Sequence, residues 1–129
     1  MPDYTIMNLK ELEDAAAAHG QDGLEARFGR NHMDSKHLGV TYFRYTPNHR
    51  TPFGHKHREQ EEAYVVIGGS GRMKADEDTV DIRQWDVVRV APEVVRCFEA
   101  GPDGLELIAI GSDRPEGGDG EMIPSFWDD

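Results

Sequence analysis

The stretch that decides the reading runs Pro52-Phe53-Gly54-His55-Lys56-His57-Arg58-Glu59-Gln60-Glu61-Glu62-Ala63-Tyr64-Val65-Val66-Ile67-Gly68-Gly69-Ser70-Gly71. In an extended strand, residues two apart point to one side, so His55 and His57 present two imidazoles together while Lys56 faces away. After a short turn, Glu62 opens an apolar run. If that run pairs beside the first, its carboxylate joins the two rings. Two histidines and one carboxylate are a common ligand set for divalent Fe, Mn, Ni, Cu or Zn, and they leave positions open to water or substrate. An isolated His-x-His is more often a pair of solvent-facing side chains, so the rest of the chain has to decide.

From Val40 onward the apolar period is two, and turn residues recur at intervals of about 8 to 12. Eight short strands are expected, over 40–46, 53–57, 62–67, 71–75, 79–82, 86–90, 94–99 and 105–110. Gly68-Gly69-Ser70-Gly71, Ala75-Asp76-Glu77-Asp78, Ala91-Pro92-Glu93 and Ala100-Gly101-Pro102-Asp103-Gly104 supply the breaks. With no long helix between them, parallel βαβ units are excluded. An all-β antiparallel sandwich, jelly roll or barrel remains.

The flanks read differently. Near the start, Asn8 as cap, Glu11 three residues later, and Leu9, Leu12 and Ala16 at helical spacing predict one helix ending at Gly20. In 21–37 the alternation of Leu24, Ala26 and Phe28 fits a short strand or an ordered lead-in equally well. Past Gly111, the run Glu116-Gly117-Gly118-Asp119-Gly120-Glu121 has nothing to bury and reads as a flexible link. Met122, Ile123, Phe126 and Trp127 follow, and they are expected to dock on their own barrel or on a partner subunit.

Length and charge narrow the function classes. The 129 residues, 37% of them hydrophobic, suit one core and one small pocket. A net charge of −11, with the 14 cations scattered, argues against nucleic acid or an anionic membrane as partner. No apolar run reaches bilayer length. Cys97 is the single cysteine and Met1-Pro2-Asp3-Tyr4 has no leader character, so a reducing cytoplasmic location is expected.

His55, His57, Glu62 and Gly69 fit the pattern His-x-His-x4-Glu-x6-Gly, which resembles the first motif of the cupin superfamily. The resemblance extends over roughly residues 40–110. It implies a cupin-type jelly-roll β-barrel, or double-stranded β-helix, over 40–111. An N-terminal helix and lead-in would occupy 1–39 and a flexible C-terminal arm 112–129, the whole being one structural domain. It also implies homodimers, metal ligation by His55, His57 and Glu62, and a small organic ligand inside the barrel. His49 stands where the motif usually begins with Gly, and spacing to Gly69 selects Glu62 over Glu61.

The second cupin motif normally supplies a fourth ligand, a histidine. Here the matching stretch has Trp85 for the first Gly, Ala91 for Pro, Glu93 for the second Gly, Arg96 for His and Ala100 for Asn. The chain is thus similar to single-domain bacterial cupins that carry Arg at this point. Arg96 alternates with Val94 and Phe98, which turns its guanidinium inward if those two face the interior. It cannot lose its charge or ligate a metal, so it requires an anionic partner.

Two readings follow for Arg96. It pairs with Glu62 in a metal-free pocket, with no turnover; or it grips the carboxylate or phosphate of a substrate beside a three-ligand metal. The first describes a small-molecule-binding protein, the second an oxygenase, isomerase or lyase acting on a small acidic, anionic substrate. Tyr64, sharing the parity of Glu62, is a candidate ligand-binding group or a core tyrosine.

Other residues read as structural. Tyr42, Phe43 and Tyr45 are expected to pack, and His19, His32, His37 and His49 lack ligand spacing. Cys97 has no adjacent base and is expected to point outward from the barrel or into a second sheet. Asp76-Glu77-Asp78 lacks a calcium-loop pattern, and Gly68-Gly69-Ser70-Gly71 lacks that of a phosphate loop.

Overall fold

A computed structural model describes residues 2–129. Eight strands curl into one antiparallel sheet: β1 (Leu24–Phe28), β2 (Gly39–Tyr45), β3 (Gly54–His57), β4 (Glu62–Ala75), β5 (Asp78–Arg83), β6 (Val87–Val90), β7 (Arg96–Gly111) and β8 (Gly120–Ile123). The hydrogen-bonded path is β1-β2-β7-β3-β8, and β4 pairs with β5, β6 and β7. The spine is β4 against β7, registered from Glu62 opposite Gly111 to Ala75 opposite Arg96. Alternation places Tyr64 and Val66 of β4, and Phe98, Leu105 and Leu107 of β7, in the buried core.

The eight segments expected within 40–110 form six strands, β2 to β7, with β1 and β8 lying outside them. The segments 62–67 and 71–75 are one strand, β4, and the segments 94–99 and 105–110 are joined in β7. The glycines that read as turns mark register shifts between Val66 and Gly68 and between Gly69 and Gly71. Gly69 has φ +71°, and a Cβ there would lie 2.0 Å from the carbonyl oxygen of Gly104. It is the close approach of two backbones, and not a chain reversal, that requires glycine here.

The short N-terminal helix is found, over a smaller span than the sequence suggests. Asn8 caps only the 3-10 turn Leu9–Glu11, and Leu12 is extended. A separate four-residue helix, α1 (Ala15–Ala18), is capped by Asp14, whose carboxylate also accepts from Ala26 N of β1. Arg27 explains the break, since its guanidinium takes the carbonyls of Lys10 and Leu12 that a continuous helix would use. Gly20, at φ +72°, does end α1.

Of the two alternatives for 21–37, the strand is realised as β1, paired along β2. The stretch expected to be a flexible link enters strand β8, where Gly120 pairs with His57 and Met122 with His55. Beyond it the aromatic tail sits on its own barrel. Trp127 Nε1 donates to Thr51 O at 2.8 Å, Arg50 stacks over the indole at 4.1 Å, and Lys74 lies 4.0 Å from the Phe126 ring centre. Cys97 is buried, and burial pushes its thiol up to about 12. No helix is long and apolar enough to cross a membrane.

Candidate metal centre

The two histidines and the acid do meet, though not by the pairing expected. β3 and β4 are not hydrogen-bonded to one another. Instead, His55 pairs with Arg96 at the start of β7, while Glu62 pairs with Gly111 at its end, so the three side chains converge across the curled sheet. His57 Nε2 lies 3.2 Å and His55 Nε2 3.7 Å from Glu62 Oε1, and a ligand atom from each residue lies within 4.8 Å of the others. Two atoms bound to one ion at about 2.1 Å are themselves about 3 to 3.4 Å apart, so this spacing suits a shared cation. Glu61, the neighbouring acid, points outward to Arg89 at 2.8 Å.

Each ligand is held from behind. Tyr64 donates its hydroxyl to Glu62 Oε1 at 2.6 Å, which fixes the carboxylate and leaves the phenol only 1% exposed. Burial resists ionisation of Glu62, but His55, His57 and Tyr64 outweigh it and hold the carboxyl well below its usual range. His57 Nδ1 is 2.8 Å from Asp119 Oδ1. Burial disfavours the His57 imidazolium, yet Glu62 and Asp119 more than offset it and raise its pKa. His57 Nε2 is buried and, despite its closeness to Glu62, has no aligned hydrogen-bond partner. A buried imidazole nitrogen beside a carboxylate oxygen is the environment a divalent cation would complete.

Among solved structures, the fold resembles a cupin protein from Bacteroides fragilis, with a TM-score of 0.71 and 19% identity over 90% of this chain and 89% of that one. An uncharacterized conserved protein with a double-stranded β-helix domain, from Klebsiella pneumoniae, gives 0.70 and 12% over 94% and 98%. A variant of oxalate decarboxylase from Bacillus subtilis gives 0.65 and 20% over 72% of this chain and 26% of that one. The fold is that of the cupins. No family model matches the sequence, and no curated protein matches it.

In cupin terms the first motif keeps His55, His57, Glu62 and Gly69 but has His49 for its first glycine, and the second is rebuilt. Arg96, which the resemblance aligns with the fourth ligand, has its side chain 0% exposed. Its Nη1 and Nη2 donate at 3.4 Å to Pro92 O and Ala91 O, Nη2 is 3.8 Å from Glu62 Oε1, and Nε has no partner. The guanidinium therefore sits behind the acid and does not line the cavity. The reading in which Arg96 grips a bound substrate is corrected on that ground, because a fully enclosed fork has no surface to offer. Trp85, aligned with the motif's first glycine, has a left-handed backbone, with φ +76°.

The cavity in front of the triad measures about 710 Å³. His55, His57, Glu62 and Tyr64 lie on its polar side, Phe28, Phe43 and Phe53 on its apolar wall, and Arg30 and Gln60 beside them. Tyr64 thus lines the pocket while its hydroxyl serves Glu62. Phe43, expected to pack, faces this space as well. Among the described residues, His55, His57 and Glu62 are the one group of three or more with metal-ligand spacing. Sequence reasoning missed Asp119 and Arg30, which lie far along the chain from the motif and share no periodicity with it.

Proposed function

We propose that this protein binds a divalent metal through His55, His57 and Glu62 and takes a small organic ligand in the cavity before it. The observation that carries the reading is the His57 imidazole. Its outer nitrogen is tied to a buried carboxylate, and its inner nitrogen is enclosed beside Glu62 without a hydrogen bond. A purely structural cluster would satisfy that atom, since an unmade buried hydrogen bond costs about 1 to 3 kcal/mol. Imidazole and carboxylate donors suit Fe, Mn, Ni, Cu or Zn. Arg96 lowers the affinity below that of a four-ligand site, because it places a fixed positive charge near the ion.

An enzyme reading has a specific observation in its favour: His55, His57 and Glu62 line a cavity large enough for a small substrate. A metal bound there would supply Lewis-acid polarisation of a coordinated group. The chain's own contribution is an apolar wall of phenylalanines that limits water, together with a cationic Arg30 suited to an acidic substrate. The oxalate decarboxylase that shares the fold is, by its name, an enzyme of a small acid. Oxygenase, isomerase and lyase chemistry all fit such a centre.

The test is elemental analysis of untagged protein. We expect close to one metal per chain in wild type and little in His55→Ala, with the loaded wild type melting higher because a ligand at 100 times its Kd adds about 2.7 kcal/mol. A wild type that takes up none of the five metals refutes the reading.

A further inference from the structure

Asp119 lies in the most polar, glycine-rich part of the chain, yet its carboxylate is 0% exposed. Gly117 and Gly118, with φ +84° and +87°, bend the chain so that Gly120 registers opposite His57. Oδ2 accepts from the backbone amides of Glu59 and Gln60, each at 2.8 Å, and Oδ1 faces His57 Nδ1 at 2.8 Å. Both amides take Oδ2, so Oδ1 is the acceptor left facing Nδ1, with the Gln60 side-chain amide 3.5 Å from it. A neutral imidazole that donates from Nδ1 carries its lone pair on Nε2, the buried atom beside Glu62.

We propose that Asp119 is the positioning residue that fixes the tautomer of His57 and so makes Nε2 a metal ligand, which ties docking of the C-terminal strand to assembly of the site. The inference rests on the metal reading above for its consequence, though not for its geometry. The charges point the same way. A divalent ion beside Arg96 brings three positive charges against one on Glu62, and Asp119 supplies the second negative charge within one imidazole of the ion. It also explains why a carboxylate is enclosed in a stretch with nothing else to bury: its partners are the backbone amides of Glu59 and Gln60, the Gln60 side chain and the ring that ends β3, all just ahead of Glu62.

Asp119→Asn separates tautomer control from simple anchoring. The amide oxygen can still accept from Glu59 and Gln60, but the NH2 group, placed where Oδ1 was, donates to Nδ1 and moves the ring proton to Nε2. We expect 15N NMR of the metal-free protein, above the titration of His57, to show Nδ1–H in wild type and Nε2–H in the variant. Zn2+ affinity by competition titration should fall about 10- to 100-fold, with little change in melting temperature without metal. An Nε2–H tautomer in wild type overturns the proposal whether or not the variant folds, and so does an Asn variant that binds Zn2+ within threefold of wild type. A wild type that binds no Zn2+ but exchanges tautomer with the variant upholds the positioning and counts against the metal reading alone.

Discussion

Two carboxylates, the buried Glu25 on β1 and the half-buried Glu62 on β4, stand in opposite conditions. Around Glu25, Arg27 Nε at 2.6 Å, Lys10 Nζ at 2.7 Å and Arg44 Nε at 2.9 Å occupy both oxygens, and burial is more than offset, so the carboxyl falls to about 2. Around Glu62, the nearest guanidinium is 3.8 Å away, and His57 Nε2 and Arg96 Nε have no partner. The first cluster is complete with the side chains it has. In the second, two nitrogens have no aligned protein partner, and that difference is what the metal reading proposed above rests on.

Breaking the second cluster should have the largest effect. Arg96→Ala removes a fully buried side chain and leaves Glu62 with less compensation, and we expect it to cost about 3 to 5 kcal/mol in urea unfolding of metal-free protein. Combining it with Glu62→Gln should recover part of that loss. A coupling of at least about 1 kcal/mol in the double-mutant cycle is expected. Additive effects would mean that Arg96 and Glu62 are neighbours without being partners, and would remove the charge argument for a weakened metal site.

The first cluster predicts a pH dependence. A carboxyl whose folded pKa is depressed stabilises the protein above its unfolded pKa, near 4.5, and that contribution is lost as pH falls from there toward 2. Glu25→Gln should cost about 2 kcal/mol near neutrality, a value discounted because Lys10 and Arg44 are half exposed. The gap between wild type and variant, followed by urea midpoint against pH, should close on acidification. A gap that persists at pH 2 would show that packing around Arg27, and not ionisation, is what the residue provides.

The two clusters were not equally legible in the sequence. His55, His57 and Glu62 could be read because a strand's period of two fixes which side each residue faces, and because six residues separate Glu62 from Gly69. Tyr64 followed from the same parity. What failed was long-range. Nothing local shows that Arg27 will take the carbonyls of Lys10 and Leu12 and split the expected helix, or that glycine pairs will be bulges where β4 meets β7. Asp119 is 62 residues from His57, in a segment whose composition argues for flexibility. Arg96 was placed inside correctly, but parity gives direction and not depth, and its depth behind Glu62 is what denies it a bound ligand.

Trp85 sharpens the comparison from the smallest effect. Its demand is unmet too, but in the backbone: a bulky residue at φ +76°, 71% exposed, where the cupin motif has glycine. Left-handed backbone costs an L-residue about 1 to 2 kcal/mol, and glycine returns about half of that as unfolded-state entropy. Trp85→Gly should therefore stabilise by about 0.5 to 1 kcal/mol, a few degrees in melting temperature. Trp85→Ala, which removes the ring and keeps the strain, should not. If both variants stabilise equally, the exposed indole is the cost. If neither does, contacts of Trp85 hold the turn and the left-handed backbone is no burden there. Only a gain confined to glycine shows strain that serves no side chain, in contrast to Glu62, where the unmet groups surround a cavity.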